Sequence, residues 1–426
     1  MFRKPKTREE LPSSLPYSDD VSVLGTKIKI GAHVAQNRIV YQPMEGCDGT
    51  ATGEPGELTK RRYRRFAAGG AGLIWFEATA ILPEARANPR QMWLHEENID
   101  AFKAEVDEIK SVCMKENGFE PLVVCQLTHS GRHSKPHGYP EPLIAVNKPI
   151  FESAGALGAD RILSDYYLDA LPERYAKVAL LAEKAGFDGV DVKACHGYLM
   201  NELISAFERK GKYGGSFENR TRLFYDSVKA VKSAVNAKTT VASRFNVYDG
   251  YPYPYGLGDS GKAGIPDYTD ALRFAADIKK IGVDLFNVTM GNPYYNNEAN
   301  RPTVFAKEVS PEESTVRLIK GAETIFGANH GVPLVSTGWT YLGSLAANVA
   351  AGAVKAGMFD LIGFGRQSFS YPDLARDIVR NGGMKSDRLC QTCGKCTELM
   401  RAGSTPGCVI YDKDVYLELY KEKVKK

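Results

Sequence analysis

Residues 193–220 read KACHGYLMNELISAFERKGKYGGSFENR. The stretch follows a short apolar run, GVDV at 189–192, and leads into a helical pattern near Glu218. It therefore sits at the C-terminal end of an expected strand. Lys193, His196 and Tyr198 fall within six residues there. A cation, an imidazole and a phenol crowded at a strand end are what a barrel active site is built from. Taken alone, the stretch also reads as a turn whose tyrosine packs and whose histidine caps. The remainder of the chain decides for the first reading, because it supplies a matching scaffold.

Working outward, β-type runs recur at 38–42, 73–77, 122–126, 189–193, 239–244, 284–288, 333–336 and 360–363. Helical patterns lie between them, among others at 58–68, 99–115, 171–185, 271–281 and 342–350. Several helices stop at glycine just before the next strand, as in KAGFDGVDV, KIGVDLFNV and AGMFDLIGF. A glycine stop before a buried strand is the expected αβ junction. Eight strands alternating with helices predict an α/β fold of the (β/α)₈ barrel type over residues 1–380. A doubly wound sheet is the alternative, but no GxGxxG follows any strand. Residues 381–426 form a separate cysteine-bearing segment and charged tail. Two long loops, 136–164 and 246–267, have the length of lids or binding loops. The second carries Tyr248, Tyr251, Tyr253 and Tyr255, placed either to roof a ligand or to pack on the barrel rim.

The chain has 426 residues, 43% hydrophobic and 25% charged, with a net charge of +4. That charge is too mild to point to nucleic acid or an anionic membrane. No run is long and apolar enough to span a bilayer, and the start, MFRKPKTREELPSS, lacks the apolar core of a secretory signal. A cytoplasmic protein is expected. A homo-oligomer is compatible with the sequence. Of eight cysteines, Cys390, Cys393, Cys396 and Cys408 cluster near the end with the spacing C-x₂-C-x₂-C-x₁₁-C. Three cysteines at two-residue gaps and a distant fourth suit an iron–sulfur cube. Zinc, which more often takes two separated pairs, is the alternative.

Several motifs occur in order at successive strands: NRIVYQPM at 37–44, CQLTHSGR at 125–132, HGYLMNELIS and YGGSFENR at 196–220, SRF at 243–245 and IGFGR at 362–366. Together they resemble the Old Yellow Enzyme family of FMN-dependent oxidoreductases on a (β/α)₈ barrel. The resemblance covers residues 37–377 and continues through the cysteine segment, which is similar to that of the iron–sulfur branch (2,4-dienoyl-CoA reductase, 2-enoate reductase, trimethylamine dehydrogenase). It implies a non-covalent FMN. Gln126 would meet the flavin pyrimidine edge, and Arg244 the N1–O2 edge, where a fixed cation favours the reduced anion. Pro43, Met44 and Ala78 would line the flavin. Gly338, Gly365 and Arg366 would hold its phosphate at the end of the last two strands. Read singly, these residues would be a satisfied amide, a structural ion pair and ordinary core. Tyr198 matches the family's proton donor.

The departures are informative. The family usually places His-x-x-His or His-x-x-Asn before GYL; here Lys193 takes the first position and His196 the second. A lysine is a point charge with three donors and favours a carboxylate or enolate oxygen. Glu45 follows Pro43–Met44, where many members place Thr or Cys. A Lys193–Glu45 pair would reconcile both departures. Arg161, in GADRILS, is expected to contact an anionic substrate. The implied activity is an ene-reductase holding FMN and a [4Fe-4S] cluster at Cys390, Cys393, Cys396 and Cys408. NAD(P)H or a protein carrier such as a ferredoxin or flavoprotein would be the electron donor. An amine dehydrogenase and an electron-transfer subunit are the alternatives.

Overall fold

The structure, a computed structural model, describes residues 7–152, 155–262, 264–295, 297–303 and 309–425. A short antiparallel hairpin, β1 (Ile28–Ile30) and β2 (His33–Ala35), precedes eight parallel strands. These are β3 (Ile39–Tyr41), β4 (Leu73–Ala80), β5 (Leu122–Thr128), β6 (Gly189–Val192), β7 (Thr240–Asn246), β8 (Leu285–Thr289), β9 (Leu334–Ser336) and β10 (Leu361–Phe364). Each pairs with the next, and β10 closes on β3, so the expected barrel forms. Helices such as Glu57–Ala68, Ile99–Asn117, Leu171–Lys184, Phe217–Ala234 and Thr269–Lys280 cover its outside.

Because both faces of each strand are buried, the strands read as continuous apolar runs, and only period-two parity separates inside from outside. Val40, Leu73, Trp75, Leu122, Val124, Ala242, Leu285, Val335 and Leu361 form one cluster with Ile30 and Ala35 of the hairpin. Their neighbours Ile39, Ile74, Val123, Val241, Phe286, Leu334 and Ile362 belong to the larger cluster shared with the helices. The barrel interior is thus apolar at its N-terminal end, where the hairpin plugs it. The same parity carried two residues further puts Gln42, Gln126, Arg244, Asn287, Thr337 and Gly363 inside at the C-terminal end.

Strand β4 breaks this parity. Its register against β5 shifts between Phe76 and Ala78. The bulge turns Glu77 out of the interior and Ala78 into it, as bulges next to active sites do. Glu77 then meets Arg62, which also pairs with Asp48 at 2.5 Å, and accepts from Gly46 N at 2.5 Å. This buried network holds the loop that follows β3.

One expectation changes in detail. The helix expected at 342–350 is a 3₁₀ turn, Trp339–Leu345, followed by a helix, Ala346–Lys355; Gly343 at φ +59°, ψ −128° breaks the run. Of the tyrosine-rich loop, Tyr248, Tyr251 and Tyr253 pack on the barrel rim, the second of the two placements expected. Tyr251 meets Phe151 and Tyr295 edge-on, Tyr253 meets Phe207, and Tyr248 lies under the Arg317 guanidinium. Among the described residues no helix is long and apolar enough to cross a membrane.

Candidate active site

The C-terminal ends of the barrel strands open into a cavity. Pro43, Met44, Ala78, Gln126, Lys193, His196, Tyr198, Arg244, Gly338, Gly365 and Arg366 all border it, as does Cys396. Arg161 does not: it lies on a 3₁₀ turn, Ala159–Arg161, partly exposed and paired with Asp160 at 3.4 Å.

Beneath the cavity lies Asp191, wholly buried on β6. Its Oδ2 accepts from Trp75 Nε1 at 2.9 Å and Gln126 Nε2 at 2.7 Å, and its Oδ1 from Arg244 N at 2.8 Å. Burial raises its carboxyl pKa, to about 6 with these donors lowering it, and three donors aimed at its two oxygens are the pattern that an ionised carboxylate satisfies. A carboxylate accepts only, so the Gln126 amide is oriented. Its NH₂ points at Asp191, and its carbonyl oxygen is left for the cavity. Beside it Gln42 and Asn287 exchange amide hydrogen bonds across the barrel at 3.2 and 2.8 Å. A side chain at Gly363 would run into Gln42, its Cβ lying 1.9 Å from Nε2, so this wall stays flat.

The loop after β6 carries the chemistry. Tyr198 occupies the N-cap position of helix Leu199–Ile204. Its hydroxyl donates to Glu45 Oε2 at 3.0 Å and lies 3.1 Å from Tyr294 Oη. Burial is the main cause that raises its pKa well above that of a free phenol, with the Glu45 carboxyl group beside it adding to the shift, so it holds its proton. His196 adopts φ +65°, a left-handed conformation rare outside glycine and a form of strain that gathers at functional sites. Asn246 Oδ1 accepts from His196 N at 3.3 Å, and Asn201 Oδ1 accepts from Gly197 N at 2.7 Å. Burial, Arg244 and Lys193 hold the His196 imidazole well below its usual pKa, hence neutral.

Lys193 is buried, and its ammonium sits 3.5 Å over the Tyr198 ring. Among the described residues no ion pair joins it to Glu45, so the pairing expected from sequence is replaced by a cation–π contact; Glu45 instead meets Tyr198 and, through Oε1, Asn88 Nδ2 at 3.3 Å. Arg244 is buried with its Nε unpartnered among the described residues. Arg301 and Arg366 border the same cavity, bonded to Thr397 Oγ1 and to Pro302 O. Four cations against one carboxylate make this an anion-seeking cavity. An oriented carbonyl, a buried guanidinium whose Nε is unpartnered among the described residues and a flat glycine wall fit an FMN laid across the barrel mouth.

All four clustered cysteines border a second, smaller cavity. Arg366, Phe369 and Cys396 belong to both cavities and form their common wall. Thr392 N donates to Cys390 Sγ and Tyr411 N to Cys408 Sγ, each at 3.4 Å. Among the described residues no group of three or more such ligands converges as closely as a single ion requires.

Sequence reading had not found Gln42, Asp191, Asn287, Tyr294 or Arg301. A carboxylate inside an otherwise apolar strand, GVDV, was the signal for Asp191. Tyr294 and Arg301 lie in a polar loop after β8 that matches no motif.

The chain resembles known oxidoreductases along most of its length. It is 27% identical to 12-oxophytodienoate reductase 7 of Oryza sativa subsp. japonica over 370 residues, 82% of this chain and 85% of the relative. It is 27% identical to the dimethylamine dehydrogenase of Hyphomicrobium sp. (strain x) over 400 residues, 90% of this chain but 49% of the relative. A structure of 2-naphthoyl-CoA reductase with 2-naphthoyl-CoA superposes with a TM-score of 0.74 at 19% identity, covering 92% of this chain and 57% of that one. The chain thus spans about half the length of the last two. The model of the NADH:flavin oxidoreductase / NADH oxidase family matches residues 24–382, and the chain is a member of that family, a flavin-dependent oxidoreductase of the Old Yellow Enzyme type.

Proposed function

We propose that the chain reduces an activated C=C bond, with FMN held at the barrel mouth and Tyr198 as the proton donor. The observation that carries the reading is the Tyr198 hydroxyl, protonated and hydrogen-bonded inside the cavity that Gln126 and Arg244 border. Gln126 would accept from the flavin pyrimidine, Arg244 would face its electron-rich edge, and Gly338, Gly365 and Arg366 would hold its phosphate. When bound, FMN supplies a hydride to the β-carbon of the alkene. Neutral His196 and the Lys193 ammonium donate to the oxygen that activates the alkene and draw its electrons. Tyr198 delivers a proton to the α-carbon.

A [4Fe-4S] cluster at Cys390, Cys393, Cys396 and Cys408 is part of the proposal. Support comes from the cysteine spacing and from four thiols around one cavity. Backbone N–H groups directed at two of the sulfurs add to it. The wall shared with the larger cavity gives electrons from a ferredoxin or flavoprotein a route to FMN. NAD(P)H is the alternative donor. The amine dehydrogenase reading fares worse, since an ammonium substrate would meet the Lys193 ammonium beside Tyr198.

The test is a pair of half-reactions under anaerobic conditions. Tyr198→Phe leaves flavin reduction by the donor largely intact and slows reoxidation by an enone or enoate by the roughly 10²–10⁴-fold typical of a lost general acid. Equal rates for wild type and variant in reoxidation would remove Tyr198 from the chemistry. Reduction of the wild-type flavin by a tertiary amine would move the assignment to amine oxidation.

A further inference from the structure

We infer that Glu45 is the proton store behind Tyr198, and that Tyr294 links that store to solvent. The inference rests on the reading that Tyr198 protonates carbon, and it assigns the groups that restore its proton.

The Tyr198 oxygen sits between two partners, Glu45 Oε2 at 3.0 Å and Tyr294 Oη at 3.1 Å. The three groups come from three loops, after β6, β3 and β8, and converge on one point of the cavity. Glu45 is the sole carboxylate among the described residues lining that cavity. Asn88 Nδ2 holds its Oε1 at 3.3 Å, which commits Oε2 to the phenol. Tyr294 is 40% exposed and lies stacked on the His133 ring with centroids 3.9 Å apart. One end of the chain of oxygens is therefore dry and the other wet.

Charge explains why such a chain is needed. When Tyr198 gives its proton to carbon, its O–H bond breaks and a C–H bond forms. The resulting phenolate would lie 3.0 Å from Glu45. If Glu45 were ionised, two anions would share one buried contact, which is strongly unfavourable. If Glu45 carries a proton, its O–H breaks as the Tyr198 O–H re-forms, and no phenolate persists. Glu45 then regains a proton from water through Tyr294 and Tyr198. One hydride from the reduced flavin and one proton from solvent leave as the new C–H bonds, so the step balances.

The groups facing Glu45 are Lys193 and Tyr198 from the loop after β6, Tyr294 from the loop after β8, Cys47 on its own loop and Glu77 on β4. Burial raises its carboxyl pKa, Lys193 lowers it, and burial is the larger effect.

The experiment uses the flavin-loaded chain, reduced with dithionite and mixed anaerobically with an alkene that the wild type accepts. Wild-type reoxidation should fall as pH rises through one ionisation. Glu45→Gln keeps the shape and loses that ionisation, and reacts at least about tenfold more slowly at the acid limit. Tyr294→Phe slows the first turnover far less than the steady state, because the stored proton is spent once and reloaded slowly. A wild-type rate and pH profile in Glu45→Gln overturns the proposal. An equal slowing of first and later turnovers in Tyr294→Phe overturns its outer link.

A second readout does not depend on turnover. In the infrared pH titration of the flavin-free chain, a protonated-carboxyl band should vanish in Glu45→Gln and shift in Tyr198→Phe. Absence of that band at the pH of turnover overturns the store. If no alkene reoxidises the wild type, the reductase reading fails, and this band alone decides whether Glu45 holds a proton against Tyr198.

Discussion

At the scale of single residues, the site is an arrangement of oriented polar groups more than of reactive ones. Asp191 touches no expected substrate, yet it decides which face Gln126 shows to the cavity, and it anchors the Arg244 backbone. Asp191→Leu removes three acceptor contacts and frees the Gln126 amide to turn. Hydrogen bonds to a charged group are worth about 1.5–3 kcal/mol each. FMN binding should therefore weaken by at least roughly tenfold, read by flavin fluorescence titration of the stripped chain. Unchanged affinity would mean that Gln126 is oriented by something else. Most of the site was legible because the motif residues stand at strand ends, where barrel geometry turns them onto one cavity. Asp191 was not, because GVDV has the pattern of any buried strand. Arg161 was misplaced because a loop position carries no parity to say where its side chain goes.

At the scale of elements, strand existence was legible and strand facing was not. All eight barrel strands stood out as apolar runs, but a run buried on both faces hides its parity, and the bulge at Glu77 is invisible in sequence. The β1–β2 hairpin escaped notice because three-residue strands are too short to show a period. Helix Ile99–Asn117 hides another feature. Glu105, on its inner face, is buried with both carboxylate oxygens unpartnered among the described residues. Burial, aided by Glu108, pushes its pKa up to about 7 from an ordinary 4.5. The folded chain then holds a proton that the unfolded chain releases, so its contribution is full below the ordinary pKa and lost as pH rises toward 7. Glu105→Gln should flatten stability between these values and raise it at mildly alkaline pH by up to about 3 kcal/mol. Urea unfolding at an acidic and an alkaline pH checks this. Parallel pH dependences in variant and wild type would show that Glu105 finds a partner.

At the scale of the whole molecule, the cysteine segment is a wall of the barrel's cavity as well as an appendage to it. The family match ends at residue 382, yet Cys396, Thr397, Met400 and Pro406 border the larger cavity. The segment is tied back to the barrel at several points. Asp412 pairs with Arg61 at 2.8 Å and with Arg65, and Thr405 bonds Arg90 at 2.7 Å and the Cys47 carbonyl at 3.4 Å. Read from sequence, the segment was a separate unit after residue 380, because cysteine spacing reports a ligand set and says nothing of what the loop leans on. The contacts mean that loss of a cluster would be felt at the flavin. Metal ligation holds such a loop in shape, and its removal frees the chain between the ligands. Cys393→Ser, or iron removal by a chelator, should expose the segment to proteolysis while the barrel keeps its circular dichroism. It should also weaken FMN binding, since burying one side chain the size of Met400 is worth about 1.5–3 kcal/mol, which corresponds to roughly tenfold or more in affinity. The measurement is limited proteolysis alongside flavin titration on the same iron-depleted sample. Protease resistance with unchanged FMN affinity would show that the arginine and threonine contacts alone hold the wall, and that the cysteines serve electron transfer without shaping the site.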